Sequence, residues 1–157
     1  MKPIFAHELS NRALKNYKII HKEEKLKNEN AYATTELVCT MLFSVISLQS
    51  DIVQKITDKG FLEKLRKLKW PNEVKKYIKN DSLFISFITS LRNSVSHNDF
   101  KFIVDVKKRV LGVSFHMKFK NSKLELDFLE EDLERFLINL TKLYESYKIE
   151  AKFKVYV

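Results

Sequence analysis

The chain has 157 residues, which is enough for one domain with a single hydrophobic core. Its 45% hydrophobic content excludes an intrinsically disordered class, and its two Gly and two Pro argue against a turn-rich β-sandwich. Lys and Arg outnumber Asp and Glu by 29 to 20, and the net charge of +9 suits an anionic partner such as nucleic acid or an acidic protein. A Lys-rich surface that only keeps the protein in solution explains the same charge equally well.

The single cysteine, Cys39, rules out a disulfide within the chain and indicates a reducing compartment, which we take to be the cytoplasm. Cys39 lies in an apolar segment, so we expect it in the core. The longest apolar run, residues 41–48, is too short to cross a bilayer, and we expect no membrane partner.

The first half of the chain is predicted to be helical. A charged helix with one apolar face is expected over residues 6–28. A largely apolar helix, central in the bundle, is expected over residues 35–58 and begins at Thr34 or Thr35. Residues 61–79 are predicted as short helices because a proline interrupts them.

The next predicted helix, residues 82–97, has two faces that both avoid charge. Its N-cap is one of three adjacent polar residues, Asn80, Asp81 or Ser82. Its apolar stripe recurs at helical spacing and consists of Phe84, Phe87, Ile88, Leu91 and Val95. The opposite face carries small or polar side chains, namely Ser86, Ser90, Asn93 and His97. Arg92 is the only charged residue in this helix, so we expect both faces to contact another group rather than solvent.

Residues 100–128 alternate apolar and polar side chains, which predicts a β-hairpin or a short meander. A last helix is expected over residues 129–149, and the tail 150–157 either adds a strand or stays frayed. The predicted fold class is therefore mainly α. It is a bundle of four to five helices with a β-hairpin inserted before the last one, in a single domain over residues 1–157.

Arg92 and His97 form a motif at the end of the charge-poor helix: Arg, four intervening residues, then His, with Asn93 directly after the Arg. This motif resembles the hallmark of the HEPN domains, all-helical bundles of which many are metal-independent ribonucleases. The order of motif helix, β-hairpin and one more long helix resembles the plasmid-borne HEPN nucleases over roughly residues 35–147. The resemblance implies a toxin or host-defence ribonuclease, a homodimer with a composite site, and for some such proteins an antitoxin partner.

The residue types suit cleavage of RNA by its own 2′-hydroxyl. That reaction needs a base for the hydroxyl, an acid for the 5′-oxygen and positive charge near the phosphate. His97 serves as base or acid near neutral pH, and Arg92 is a permanent cation with a fork suited to phosphate. Asn93 shares a helical face with His97 and orients the imidazole or holds a phosphate oxygen. Lys107, Lys108 and Arg109 are candidate RNA contacts or merely a charged turn.

The spacing argues for two copies. Arg92 and His97 lie about 140° apart around a regular helix and roughly 7.5 Å apart along it, so one helix does not focus both on one phosphate. Two helices that meet across a two-fold axis can bring the Arg and His side chains of both copies to one phosphate. Ser86 and Ser90 are small enough to allow the helices to approach closely.

Two other functions stay open: a non-catalytic HEPN-like module that binds RNA or protein, and a dimeric scaffold without an active site. The favoured interpretation of His116, on the polar register of its strand, is a solvated histidine. Asp99 either tunes His97 or is a turn residue. We expect no cofactor and no metal, because the chain has no Gly-rich phosphate loop and no zinc-ligand spacing.

Overall fold

The computed structural model describes residues 3–27, 32–46, 63 and 66–146. Its helices are α1 (Pro3–Lys27), α2 (Tyr32–Ile46), α3 (Asn72–Lys75), α4 (Asp81–Ser96) and α5 (Glu130–Ser146). Between α4 and α5 lie three strands, β1 (Phe100–Val104), β2 (Val110–Phe119) and β3 (Ser122–Leu129). The expected fold class, mainly α with strands inserted before the last helix, is confirmed.

The three strands form an antiparallel meander in the order β1-β2-β3. Phe100 lies opposite Phe115, Met117 lies opposite Leu124, and the register shifts between Ile103 and Val104. The insert is thus the meander rather than the single hairpin, because the alternation of residues 122–129 supplies a third strand.

One face of the sheet is apolar and carries helices. Its buried side chains are Val113, Phe115 and Met117 of β2 and Leu126 and Phe128 of β3. Helices α2 and α4 pack on β2, while α5 contacts both β2 and β3. The opposite face of the same strands, which carries His116, Lys118, Lys123 and Glu125, stays at least partly exposed.

A chain of aromatic rings joins the sheet to the last helix. The ring of Phe128 lies 5.9 Å from that of Phe115 and 5.2 Å from that of Phe136, which in turn lies 5.7 Å from Trp70. The Phe rings of this chain are fully buried, and truncating a buried Phe to Ala typically costs about 3–5 kcal/mol. The apolar face of the sheet is therefore part of the core.

Helix α2 is central, as expected, and packs against α1, α4, α5 and β2. Tyr17 joins α1 to the start of α5: its hydroxyl donates to Glu130 Oε1 at 3.1 Å, and His21 Nδ1 lies 3.2 Å from the same oxygen. Burial, followed by the charge of Glu130, raises the pKa of Tyr17 well above its usual range. Tyr17 therefore stays a neutral hydrogen-bond donor.

Several details differ from expectation. Helix α2 begins at Tyr32, not at Thr34 or Thr35, and its expected end at residue 58 lies outside the described residues. Cys39 is exposed, so its predicted place in the core is wrong: α2 is apolar around much of its circumference, and one side still faces outward. Leu129 ends β3 and is 52% exposed, so it does not start the last helix.

The described residues include only part of the segments for which the other expectations were made. Of the predicted short helices at 61–79, the described residues contain α3, and the tail 150–157 lies outside them. In the described ranges, no helix is both long and apolar enough to cross a membrane.

Candidate active site

Helix α4, the motif helix, begins at one of its three predicted caps. The side chain of Asn80 accepts a hydrogen bond from the Leu83 backbone N–H at 2.8 Å, which satisfies a free donor of the first turn. Asp81 adds a negative charge to that turn, where the helix dipole favours it. The start of the helix is thus fixed by local sequence.

The apolar stripe of α4 faces the core. Phe84, Phe87, Ile88 and Leu91 are buried as predicted, whereas Val95 is only half-buried and Ser94 takes the buried position instead. The tyrosine ring of Tyr77 stacks on Phe87 with a centroid distance of 4.5 Å and meets Phe119 edge-on at 5.1 Å. The end of β2 is therefore held against the motif helix.

The C-terminus of α4 has a Schellman motif. Asn98 adopts a left-handed conformation with φ 63° and its N–H donates to the Val95 carbonyl at 3.2 Å. The Asp99 N–H reaches back to the Ser94 carbonyl at 2.8 Å. Asn is the commonest substitute for Gly at this position, so the sequence after His97 ends the helix sharply. His97 is the C-cap residue, and its N–H donates to the Asn93 carbonyl at 2.9 Å.

The same helix end is tied to the sheet through one carbonyl. The Asp99 oxygen accepts a hydrogen bond from the Ser94 hydroxyl at 2.6 Å and another from the His116 backbone N–H at 2.8 Å. Asp99 is thus a turn residue, the second of its two expected roles. The backbone on both sides of His97 is fixed, which sets the point from which its side chain projects.

The motif side chains themselves are unengaged within the part of the chain that the structure describes. Arg92 is half-buried, while Asn93 and His97 are exposed. Across the described ranges, neither the Arg92 guanidinium nor the His97 ring has a hydrogen-bond or ion-pair partner. An Arg that is half-buried without a carboxylate is a free binding group for an anion.

Ser86 and Ser90 lie on the face that was predicted to meet a second copy. Both are half-buried, and both are small. Their role in a dimer stays a prediction.

The predicted basic turn lies away from the motif. Residues Lys107, Lys108 and Arg109 connect β1 to β2 at the far end of β1, about 13 Å or more from Phe100 at strand spacing. Asp105 accepts hydrogen bonds from the N–H groups of Lys107 and Arg109 at 2.9 and 2.8 Å and from Arg109 Nε at 2.6 Å. The Arg109 backbone N–H, followed by its side chain, lowers the pKa of Asp105. The charge of Arg109 is therefore already balanced.

A second basic region, which the sequence reasoning missed, lies at the opposite end of the sheet. Two adjoining concavities of about 490 and 430 Å³ share Lys118 and Lys123. We name them together the hairpin groove; it is lined by Asp99, His116, Met117, Lys118, Leu124, Glu125, Lys123, Lys120, Asn121 and Ser122. The sequence does contain a signal for this groove, because alternation along two paired strands places every second side chain on one face of the sheet. Only the register, which the sequence does not state, shows which lysines meet.

Within the groove, His116 is opposite Glu125 on the neighbouring strand. Its Nε2 atom is shielded from solvent, lacks a hydrogen-bond partner and lies 3.8 Å from Glu125 Oε1, which is too long for a hydrogen bond. Glu125 Oε1 instead accepts from the Ser114 hydroxyl at 3.1 Å. Among the described residues, no group of three or more His, Cys, Asp or Glu is placed to hold a metal ion.

Comparison with known proteins identifies a family for the chain. A family model described as HEPN pEK499 p136 matches residues 2–151, which include the motif, the sheet and the helices on either side. Comparisons with curated proteins and with solved structures gave no match.

Proposed function

Since the chain belongs to the HEPN pEK499 p136 family, we propose that it is a metal-independent endoribonuclease of the toxin or host-defence type. HEPN proteins are in general related to ribonucleases. The proposed site is composite and consists of Arg92, Asn93 and His97 from each copy of a homodimer. If the ribonuclease is a toxin, the proposal also includes an antitoxin partner.

One observation carries the proposal: among the described residues, Arg92 and His97 are unengaged side chains on a helix end whose backbone is fixed. For Arg92 this is unusual, because the unmade hydrogen bonds of a half-buried guanidinium are costly, whereas His97 is exposed to solvent. Here, within the described part of the chain, both groups remain available while Ser94 and Asp99 hold the backbone that carries them. This is the arrangement expected of a preorganised site.

The chemistry balances without any added reactant. One imidazole removes the proton of the 2′-hydroxyl as its oxygen attacks the phosphorus. The P–O5′ bond breaks, and the second imidazole, in its protonated form, donates a proton to the leaving 5′-oxygen. The products are a 2′,3′-cyclic phosphate and a free 5′-hydroxyl. Arg92 stabilises the negative charge that builds on the phosphoryl oxygens.

Two copies are needed because of the helix geometry. Helix α4 is regular from Asp81 to Ser96, so Arg92 and His97 project about 140° apart. A second imidazole therefore comes most simply from the partner copy of the same helix. Ser86 and Ser90 permit the close approach that this requires.

The test is RNA cleavage in EDTA by the wild type, by His97→Ala and by His21→Ala. We expect cleavage by the wild type and a loss of about 10²–10⁴-fold in His97→Ala, the usual contribution of a general acid or base. His21 is an exposed histidine on α1 and serves as the matched control, so His21→Ala should cleave like the wild type. Intact RNA with the wild type, or equal cleavage by His97→Ala, would refute the nuclease.

The homodimer has a separate test. Ser90→Lys places a charge on the face that two α4 helices are proposed to share, and should shift the protein toward monomer in light scattering. The control Asn16→Lys adds the same charge at an exposed position of α1 and should leave the mass unchanged. A Ser90→Lys protein with the wild-type mass would place the interface elsewhere.

A non-catalytic RNA-binding module is the second candidate, and the hairpin groove favours it. Its lysines can hold RNA whether or not His97 is active. RNA binding without cleavage in the assay above would select this candidate.

A further inference from the structure

The hairpin groove contains lysines whose positions are unfavourable for the fold. Lys118 lies directly opposite Lys123 in the β2–β3 register. Like charges that face each other across two strands destabilise the pair. In the part of the chain that the structure describes, neither lysine has an ion pair with a carboxylate. Their mutual repulsion is therefore not relieved by the fold itself.

Lys120 is unfavourable for a different reason. Together with Asn121 it forms the two-residue turn between Phe119 and Ser122, with φ values of 45° and 64°. Such a turn requires positive φ at both positions, for which Asn, Asp and Gly are preferred and Lys is not. The Lys120 ammonium extends over the Phe119 ring at 5.9 Å from the ring centroid. Lys108 in the other turn has a similar φ of 59°, so the strain at Lys120 supports a role only together with the facing pair of lysines beside it.

The groove is also connected to the motif. Asp99 closes the motif helix with its backbone and lines the groove, next to His116. The Lys118–Lys123 pair lies two residues further along the strands, about 7 Å at strand spacing. Because Asp99 follows His97 by two residues, the groove begins next to the end of the motif helix. The carboxylate of Glu125 in the groove is turned toward Ser114, with which it is hydrogen-bonded.

We infer that the hairpin groove is the subsite that holds the phosphates of the RNA strand flanking the cleaved bond, with Lys118, Lys120 and Lys123 as its contacts. This inference rests on the proposed function. An anion bound between the lysines removes the repulsion between Lys118 and Lys123. It also accounts for a lysine at position 120, where the positive φ of the turn disfavours one. Because lysine contacts to phosphate carry no sequence information, the subsite sets affinity and strand position but not base preference.

The substrate class follows from this placement. The protein should act on RNA strands of several nucleotides that reach both His97 and the groove. A dinucleotide, with one phosphate, reaches only the motif. The lysines should therefore lower the KM for long RNA and leave the dinucleotide unaffected.

The decisive experiment measures binding apart from cleavage. A mixed-sequence pool of fluorescent 2′-O-methyl oligonucleotides has no free 2′-hydroxyl and cannot be cut by the proposed mechanism. Its affinity is measured by anisotropy over a range of salt concentrations, for the wild type and for two matched double variants. One is Lys118→Gln with Lys123→Gln; the other is Lys107→Gln with Lys108→Gln, which removes the same charge from the other turn.

We expect the first pair to weaken binding about tenfold and to reduce the slope of log affinity against log salt by about 1.4, or 0.7 for each phosphate contact on a single strand. The second pair should change neither by a comparable amount. Equal losses in both pairs would mean that the basic surface acts as a whole, and would overturn the subsite. No loss in the first pair would overturn it as well.

A third variant guards against misfolding. Lys120→Asn suits the left-handed turn better than lysine does, so it should melt at an equal or higher temperature while it binds RNA more weakly. Retained affinity in Lys120→Asn would remove Lys120 from the subsite. The nuclease assay with His97→Ala is independent of these measurements, so failure of the nuclease and failure of the subsite give different results.

Discussion

The two turns of the sheet are both rich in lysine, yet they differ in how their charge is balanced. The β1–β2 turn contains Asp105, which accepts three hydrogen bonds and pairs with Arg109 at 2.6 Å. Among the described residues, Lys107 and Lys108 of the first turn have no ion pair, and neither do Lys118, Lys120 and Lys123 at the second. Only at the second turn do two lysines, Lys118 and Lys123, lie directly opposite each other. A run of basic residues in the sequence is therefore a poor guide to a basic binding surface. What matters is whether the fold pairs a basic side chain with a carboxylate, as at Arg109, or places two of them opposite each other, as at Lys118 and Lys123.

The largest expected effect comes from breaking the sheet that both turns share. A Cβ atom at Gly112 would meet the backbone oxygen of Phe128 on the neighbouring strand, and backbone cannot move aside as a side chain can. Gly112→Ala should therefore lower the free energy of unfolding by roughly 4 kcal/mol or prevent folding. Leu111→Ala, at the next position and partly exposed, is the control and should cost far less in urea denaturation.

If Gly112→Ala folds with wild-type stability, the two strands pair differently from the register given above. The comparison between the turns would then lose its basis, because the register decides which lysines face each other.

A smaller effect tests the connection between the motif and the second turn. Ser94→Ala removes a buried hydroxyl that donates to the Asp99 carbonyl and should destabilise the protein by about 1–2 kcal/mol. RNA cleavage should fall more than this loss of stability explains, because His97 is then less well positioned. Ser96 is exposed at the same helix end, so Ser96→Ala should change neither the stability nor the rate of RNA cleavage. Wild-type cleavage by Ser94→Ala would show that this hydrogen bond does not serve the site.

The next prediction compares the turns directly. Lys108 and Lys120 both have positive φ, 59° and 45°, so replacing either by Gly should stabilise the protein by up to about 1 kcal/mol. Only Lys120→Gly should also weaken RNA binding. Thermal melts and the anisotropy assay on the two variants measure both effects. Equal RNA affinities in the two variants would contradict the difference that we draw between the turns.

The smallest expected effect concerns pH. Because the folded state lowers the pKa of Asp105, its stabilising contribution is present above the unfolded value of about 3.9 and is lost as pH falls through the folded pKa. Asp105→Asn should therefore flatten the dependence of the urea midpoint on pH in this acid range. Lys120→Gln, in the turn without a carboxylate, should leave that dependence as in the wild type.

Much of the fold was predictable because its signals are local. The spacing of Phe84, Phe87, Ile88 and Leu91 gave the buried face of the motif helix, and the alternation after residue 100 gave the strands. Val95 was misjudged because Ser94, although polar, finds an acceptor in Asp99 and so can be buried. Local hydropathy does not reveal such a partner.

The site was predictable only in part. The motif of Arg92 and His97 stays a prediction, and the family match covers the residues that form it. The hairpin groove was not predictable, because strand register depends on long-range pairing that a single sequence does not specify. The sequence reasoning therefore singled out three adjacent basic residues, 107–109, and passed over three that are separated in sequence but share one groove.

The carbonyl of Asp99 has a consequence for mutagenesis. Its backbone oxygen, not its side chain, joins the motif helix to the strand. Replacing Asp99 by alanine in a scan will therefore leave both hydrogen bonds in place. Replacing the amide between Asp99 and Phe100 by an ester, which makes that oxygen a weaker acceptor, would loosen the joint without altering any side chain. Conversely, slow amide hydrogen exchange at His116 would report that the helix and the strand move as one body.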